Sequence, residues 1–296
     1  MARGRSPLPA ACRIVPILAA LPPGGCGEGL FDPQGPVAAA ERTIFYNSLG
    51  IMLAIVIPTM LTTLGVAWWY RASNRKARYQ PDVQYSGRVE MVVWSIPAMT
   101  ILLLGGICWI GSHDLDPFRP IPGTARPLRV QVVSMDWKWL FILPDQGIAS
   151  VNRLMVPAGT PISLELTSAG VMNGFIVPQL GSQIATMPHM MTRLQLLADH
   201  PGTYGGRATQ FSGDGFADMG FTVQAMPPDQ FAQAVAAIRG HDPPLDPDSY
   251  RRLAEPYAVA TPFSYGAVAP GMFQRILQPP AAPATAARPA PRKEMP

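Results

Sequence analysis

The segment RATQFSGDGFADMGF (Arg207–Phe221) decides the fold, because it has the composition of a loop and leads directly into a strand-like alternating run. Glycine, serine and aspartate residues predict the loop, and three phenylalanines surround them. Asp214 and Asp218 lack the spacing of EF-hand calcium ligands, and the segment contains no cysteine or histidine. These residue types leave two interpretations open: a plain connection between strands, or a loop built to hold a ligand.

Alternating apolar residues predict a β domain around this loop. The runs LRVQV, ISLEL, RLQLL and FTVQA each place an apolar residue at every second position, as half-buried strands do. Clusters of glycine and proline separate them, namely PAGTP, VPQLG and HPGTYGG. The spacing predicts an antiparallel sandwich or barrel of about a hundred residues, at positions 120–226.

A helical arm is predicted after this domain, at residues 227–278. The run PPDQFAQAVAAIRG begins with helix-start residues and puts Phe231, Val235 and Ile238 on one face. The run DPDSYRRLAEP predicts a second short helix. We expect the arm to lie against the sandwich or a partner. Residues 279–296 are rich in proline and alanine and contain too few apolar groups to fold.

Two uncharged runs before the β domain predict transmembrane helices, at residues 43–70 and 91–112. The first would be about 42 Å long as a helix, more than the bilayer core of about 30 Å. Tryptophans lie at the ends of these runs, where amphipathic aromatic side chains meet the membrane interface. The loop between them, residues 71–90, is rich in arginine, so the positive-inside rule places it in the cytoplasm and both termini in the periplasm.

The first 25 residues have the pattern of a secretory signal. Three arginines precede the apolar run IVPILAAL, and PPGGC follows it. A short run ending in cysteine is similar to a bacterial lipoprotein signal, which predicts lipidation of Cys26 and a second membrane anchor. Pro23 departs from the usual pattern, and an ordinary N-terminus with a stray cysteine is the alternative.

Composition and motifs exclude several functions. The net charge of +4 comes largely from local basic blocks, which are typical of targeting and topology signals and not of a nucleic-acid interface. The histidines lack a nucleophile-elbow pattern, and there is no glycine-rich phosphate loop or paired-cysteine motif. All three cysteines lie at or before Cys108, so the β domain contains no thiolate. The run MPHMM (Met187–Met191) carries soft ligands suited to Cu(I), but its methionines are more typical of a loop that packs against the sandwich.

The order of these segments resembles subunit II of the haem–copper respiratory oxidases, and most closely that of the bacterial cytochrome bo-type ubiquinol oxidases. The resemblance rests on segments between about residue 30 and residue 226. They are FDPQGPVAAAER, WWYRASNRKARYQP, VEMVVWSIP, VVSMDWKWLFILPDQGIASVN, SAGVMNGFIVPQLGSQI and PGTYGGRATQFSGDGFADMGF. It implies two transmembrane helices followed by a cupredoxin-like Greek-key sandwich with a small C-terminal arm.

The resemblance also implies a function for the corresponding loop in the related proteins. In the cytochrome c oxidase relatives it holds a dinuclear copper centre through two cysteines, a glutamate, a histidine and a methionine, with a second histidine earlier in the chain. Aligned on Met219, the matching positions are Asn173, Ala208, Gln210, Ser212 and Phe216. Only the methionine remains. Copper centres of this kind need thiolate, so we expect no metal in this chain. We also expect Phe211, Phe216 and Phe221 to fill or cover the vacated space.

The resemblance implies a non-redox subunit of a proton-pumping oxidase that oxidises ubiquinol and reduces oxygen to water. Haem and copper are expected in a partner, the catalytic subunit I, with smaller membrane subunits beside it. Glu90 matches the family's glutamate at the mouth of a proton-uptake path. From residue type alone it could simply favour a helix N-terminus. Trp137 matches an aromatic beside the electron-entry site, and we expect it to pack or contact a partner.

Three other interpretations remain at this stage. A cytochrome c oxidase subunit II would need the copper ligands that are absent. A membrane-anchored, copper-handling cupredoxin would use MPHMM. A structural lipoprotein would leave the two apolar spans and Glu90 unexplained.

Overall fold

A computed structural model describes residues 29–78, 85–122, 126–257 and 261–278. The predicted signal at 1–25, Cys26 and the tail at 279–296 lie outside these residues. The described part contains two long apolar helices, a two-sheet β domain and a partly helical C-terminal arm, which confirms the predicted architecture.

The helices are α1 (Pro36–Trp69), α2 (Gly87–Asp114), α3 (Pro228–His241), α4 (Pro247–Leu253) and α5 (Met272–Leu277). The strands are β1 (Leu128–Met135), β2 (Lys138–Leu143), β3 (Ile148–Val151), β4 (Arg153–Pro157), β5 (Ile162–Ser168), β6 (Asn173–Ile176), β7 (Gln183–Thr186), β8 (Thr192–Leu196), β9 (Gly202–Ala208), β10 (Gly220–Met226), β11 (Pro244–Leu245), β12 (Phe263–Tyr265) and β13 (Ala267–Val268). A single 3₁₀ turn, Phe216–Asp218, lies between β9 and β10 in the described chain.

Helices α1 and α2 are long and apolar enough to cross a membrane, with mean hydropathies of 2.1 and 2.0 in their most apolar windows. They lie side by side, and the side chain of Ile44 rests on Gly111. Helix α1 begins seven residues before the predicted span, at Pro36, because proline is well suited to the first helical turn. These additional turns carry Glu41 and Arg42 beyond the apolar part of the helix.

The β domain is a sandwich of two sheets. One sheet has the order β12-β3-β2-β1-β5-β8, and the other has the order β4-β10-β9-β6-β7. The predicted antiparallel pairing is confirmed for most strand pairs of the two sheets, but β1 pairs with β5 and β4 pairs with β10 in parallel. Alternation shows which face of a strand is buried but carries no information on the direction of its neighbour.

Strand β9 was not predicted, because its sequence GTYGGRA reads as a turn cluster. It pairs with β10 in an antiparallel ladder. Tyr204, Gly206 and Ala208 point inward, and a Cβ atom at Gly206 would overlap the ring of Phe221. The glycine is therefore explained by a close approach within the core and not by a turn.

The C-terminal arm packs on the sandwich itself. Phe231, Val235 and Ile238 of α3 are buried against it, as the helical periodicity predicted. Strand β12 adds to the edge of the six-stranded sheet beside β3. The rest of the arm covers the outer face of that sheet in a second apolar cluster that includes Leu253 and Phe273. Both faces of β2 are consequently buried, which explains its unbroken apolar run.

The start of α1 is joined to the β domain by hydrogen bonds. The carboxylate of Glu41 accepts from the backbone N–H and the hydroxyl of Ser182, at 2.9 and 3.1 Å. The backbone of Gln34 donates to Gln179 and accepts from Asp199. This junction fixes the sandwich at one end of the helix pair.

Candidate functional site

The loop between β9 and β10 brings four of the predicted positions together at one end of the sandwich. The side-chain N–H of Asn173 donates to the sulfur of Met219, at 3.2 Å, and the Ser212 hydroxyl lies 3.9 Å from the same sulfur. The backbone N–H of Ala208 donates to the carbonyl of Met219, at 3.2 Å. Asn173 and Met219 are each only 1% exposed, so an amide and a thioether form the buried centre of this site.

The remaining two positions lie at the margin of this centre. Gln210 is partly exposed on the loop. Phe216 is half-buried and begins the 3₁₀ turn. Its backbone carbonyl accepts a hydrogen bond from the backbone N–H of Met219, at 3.1 Å. Its ring packs against the sandwich core.

The expectation for the three phenylalanines holds only in part. Phe221 is buried and stacks on Phe175 with ring centroids 4.8 Å apart, and Phe216 packs against the core. Phe211 is 79% exposed, so it does not fill the space, and its ring makes an edge contact with Phe216 at the margin of the site.

Trp137 holds this loop from the neighbouring strand pair. It lies in the two-residue turn between β1 and β2 with φ +61°, a conformation that is an outlier for a bulky residue. Its indole N–H donates to the carbonyl of Ser212, at 3.0 Å. Its ring lies so close to Gly215 that a Cβ atom there would overlap it. The structure thus gives Trp137 the packing role that was expected of it.

The side chains at this site do not suit a dinuclear copper centre. Such a centre needs two bridging thiolates and imidazole ligands, whereas the loop offers an amide, an alcohol and a thioether. Among the described residues, no group of three histidine, cysteine, aspartate or glutamate side chains comes close enough to hold a metal. No step of the chemistry can therefore be assigned to a metal bound in this loop.

Glu90 lies far from this site, in the first turn of α2. Its carboxylate accepts a hydrogen bond from the indole N–H of Trp94, at 2.9 Å. The MPHMM segment connects β7 and β8, where Met190 and Met191 are exposed and His189 has φ +60°. The carbonyl of Met187 accepts from the Thr167 hydroxyl and the Ser168 N–H.

Lys138 is a residue that the sequence analysis missed. It is fully buried, and its ammonium donates to the carbonyls of Glu255 and Tyr257 at 2.7 and 3.0 Å. The same ammonium lies 3.5 Å from the centroid of the Tyr257 ring. Burial lowers the pKa of Lys138 to about 8, against smaller opposing effects of the Asp136 and Glu255 carboxylates. A single lysine at the start of the apolar run KWLFIL was the available signal.

Comparison with known proteins agrees with this geometry. The family described as "Cytochrome C oxidase subunit II, periplasmic domain" matches residues 128–226, which cover the sandwich and its loop. The crystal structure of the periplasmic domain of subunit II of cytochrome oxidase from Bradyrhizobium japonicum is 21% identical and covers 40% of this chain and 96% of that one, with a TM-score of 0.37. Residues 128–226 are thus similar to the periplasmic domain of cytochrome c oxidase subunit II.

Proteins that match most of the chain identify its family more closely. The chain is 42% identical over 268 residues to cytochrome bo(3) ubiquinol oxidase subunit 2 of Pseudomonas aeruginosa, covering 90% of this chain and 81% of that protein. It is 44% identical over 256 residues to ubiquinol oxidase subunit 2 of Acetobacter aceti, covering 86% and 83%. The chain belongs to the ubiquinol oxidase subunit 2 family.

Proposed function

We propose that this chain is the non-redox subunit II of a proton-pumping terminal oxidase that oxidises ubiquinol and reduces oxygen to water. Its role is to stabilise the complex, to cap it on the periplasmic side and to contribute Glu90 to proton uptake. The haems and the catalytic copper belong to a larger partner, subunit I, with smaller membrane subunits alongside.

The contact between Asn173 and Met219 carries this proposal. In a subunit that receives electrons from cytochrome c, this point would hold thiolate and imidazole ligands to copper. Here a buried amide donates to a thioether, and no thiolate follows Cys108 in the sequence. Electrons must then enter the complex elsewhere, and a lipid-soluble quinol can reach a haem-bearing chain from within the bilayer. The similarity to ubiquinol oxidase subunit 2 of Pseudomonas aeruginosa and Acetobacter aceti supports the same donor.

The location follows from the helices and the family. Two apolar helices and a domain of the periplasmic type fit an inner-membrane protein. We propose that both termini are periplasmic and that residues 71–90 are cytoplasmic, because that loop is basic. Lipidation of Cys26 belongs to the same proposal and would show as a mass increase that a Cys26→Ser variant lacks.

Glu90 is the proposed proton-entry residue. It lies in the first turn of α2, directly after the basic loop. With that loop in the cytoplasm, its carboxylate would meet cytoplasmic water. Replacement by alanine should lower the turnover of the complete oxidase at unchanged haem content. A carboxylate placed elsewhere on the same rim should restore part of the activity. Turnover equal to that of the unmodified oxidase would refute the role of Glu90.

Subunit membership has its own test. A tag on this chain should recover, in mild detergent, a larger haem-bearing polypeptide in fixed ratio to it. Recovery of the chain alone and without haem would contradict the proposal. It would favour the copper-handling alternative, which copper titration of MPHMM variants would then examine.

A further inference from the structure

The hydrogen bond between Trp94 and Glu90 links two residues one turn apart on α2. The indole Nε1–H of Trp94 donates to Oε2 of Glu90, at 2.9 Å. Helical side chains lean toward the N-terminus of their helix, so the indole of Trp94 naturally covers the carboxylate four residues before it. The pairing is therefore a product of the spacing of these two residues.

The Glu90 carboxylate does not act as the N-cap of α2. The N-cap residue of α2 is Ser86, and its side chain makes no capping hydrogen bond. The backbone N–H of Glu90 donates to the carbonyl of Ser86, at 3.0 Å. The hydrogen bond to the Glu90 carboxylate comes instead from a side chain deeper in the helix. The described hydrogen bond that orients the Glu90 carboxylate thus comes from Trp94.

We propose that Trp94 is a positioning residue for proton uptake through Glu90. This inference rests on the proposed role of Glu90. The indole N–H engages one carboxylate oxygen and fixes the side chain, while the other oxygen exchanges the proton. Cytoplasmic water supplies a proton to the carboxylate, which passes a proton on to the partner subunit, so Glu90 returns to its starting state.

Trp109 provides a matched control on the same helix. Trp94 is 73% exposed and Trp109 is 69% exposed, so both rings are available to the bilayer or to neighbouring chains. Trp109 stacks on His113, with ring centroids 4.5 Å apart, and has no carboxylate among its described contacts. Interface anchoring by an aromatic ring would make the two positions behave alike.

The test compares four variants of the complete oxidase at equal haem content: Trp94→Phe, Trp94→His, Trp109→Phe and Glu90→Ala. Phenylalanine keeps a ring in place but has no N–H, whereas histidine retains a ring N–H. We expect Trp94→Phe to lower kcat for ubiquinol-driven oxygen uptake roughly threefold to tenfold, as the loss of one ordinary solvent-exposed hydrogen bond allows. The KM for ubiquinol should stay unchanged, and Trp94→His should recover most of the rate.

A double variant completes the test. In the Glu90→Ala background, Trp94→Phe should cause no further loss, because the acceptor is already gone. The inference is overturned if Trp94→Phe matches the unmodified enzyme while Glu90→Ala is slow, and the Glu90 proposal then survives. The inference is also overturned if Trp94→Phe slows the enzyme equally with and without Glu90. Slowing by Trp109→Phe equal to that by Trp94→Phe would overturn it too, because either result would show a structural role. Full activity of Glu90→Ala would overturn both proposals.

Discussion

Asn173 and Met219 form a buried pair in which the amide N–H of the first donates to the sulfur of the second, at 3.2 Å. The resemblance to the oxidase subunits predicts that these two positions correspond to copper ligands in the cytochrome c oxidases. In this chain, contacts within the protein hold the loop between β9 and β10. Met219, Trp137 and the core phenylalanines supply those contacts.

The first prediction concerns the sulfur of Met219. Leucine at this position keeps the volume but leaves the Asn173 amide without its acceptor, so Met219→Leu should lower the free energy of unfolding by about 1–2 kcal/mol. Met155, buried in the same core, is the control, and Met155→Leu should cost less because only packing changes. Urea unfolding of the purified chain in detergent would measure both. Equal losses would show that the sulfur contact contributes nothing.

Trp137 should govern the order of the loop. Trp137→Ala and Trp137→Gly both remove the hydrogen bond to Ser212, so amide hydrogen exchange at residues 211–219 should accelerate in both. Glycine tolerates the positive φ, so the alanine variant should be less stable than the glycine variant by about 1 kcal/mol. Unchanged exchange in the loop would mean that other contacts hold it.

Lys138 should make the stability of the arm depend on pH. Its pKa is about 8 in the folded chain and 10.5 as the ordinary value, so between these pH values the unfolded chain binds more protons. The contribution of Lys138 to stability is therefore lowest below pH 8 and increases as the pH rises toward 10.5. The full increase is about 3 kcal/mol.

Lys138→Met tests this linkage. At pH 7 the variant loses the hydrogen bonds to Glu255 and Tyr257, but it no longer buries a charge. These two effects offset each other, so the change in the free energy of unfolding should be small. At pH 10 the variant should be clearly less stable than the unmodified chain. Arg239→Met removes an exposed cation that donates to the Gln146 carbonyl, and it should show no such pH dependence. A difference between Lys138→Met and the unmodified chain that is constant from pH 7 to pH 10 would contradict the prediction.

Local patterns predicted most of the helices and several of the strands. The length of the uncharged runs predicted α1 and α2. Alternating apolar residues in LRVQV, ISLEL, RLQLL and FTVQA predicted β1, β5, β8 and β10. Helical periodicity predicted the buried face of α3. Each of these signals depends on residues close together in the sequence, where burial on one face fixes the spacing.

The sequence could not show contacts between distant segments. Lys138 binds carbonyls 117 and 119 residues away, so its burial depends on how the arm folds back over β2. Strand β9 could not be predicted because its Gly206 is required by the nearby ring of Phe221 on the next strand, a contact that the sequence does not show. The exposure of Phe211 depends on the path of the loop, which composition does not specify.

The most direct measurement is oxygen uptake by the oxidase purified through a C-terminal tag on this chain, with ubiquinol and reduced cytochrome c offered separately as donors. We predict rapid uptake with ubiquinol and none above background with cytochrome c. Rapid uptake with cytochrome c would contradict this prediction, because the amide–thioether pair of Asn173 and Met219 cannot hold the copper centre through which those electrons enter.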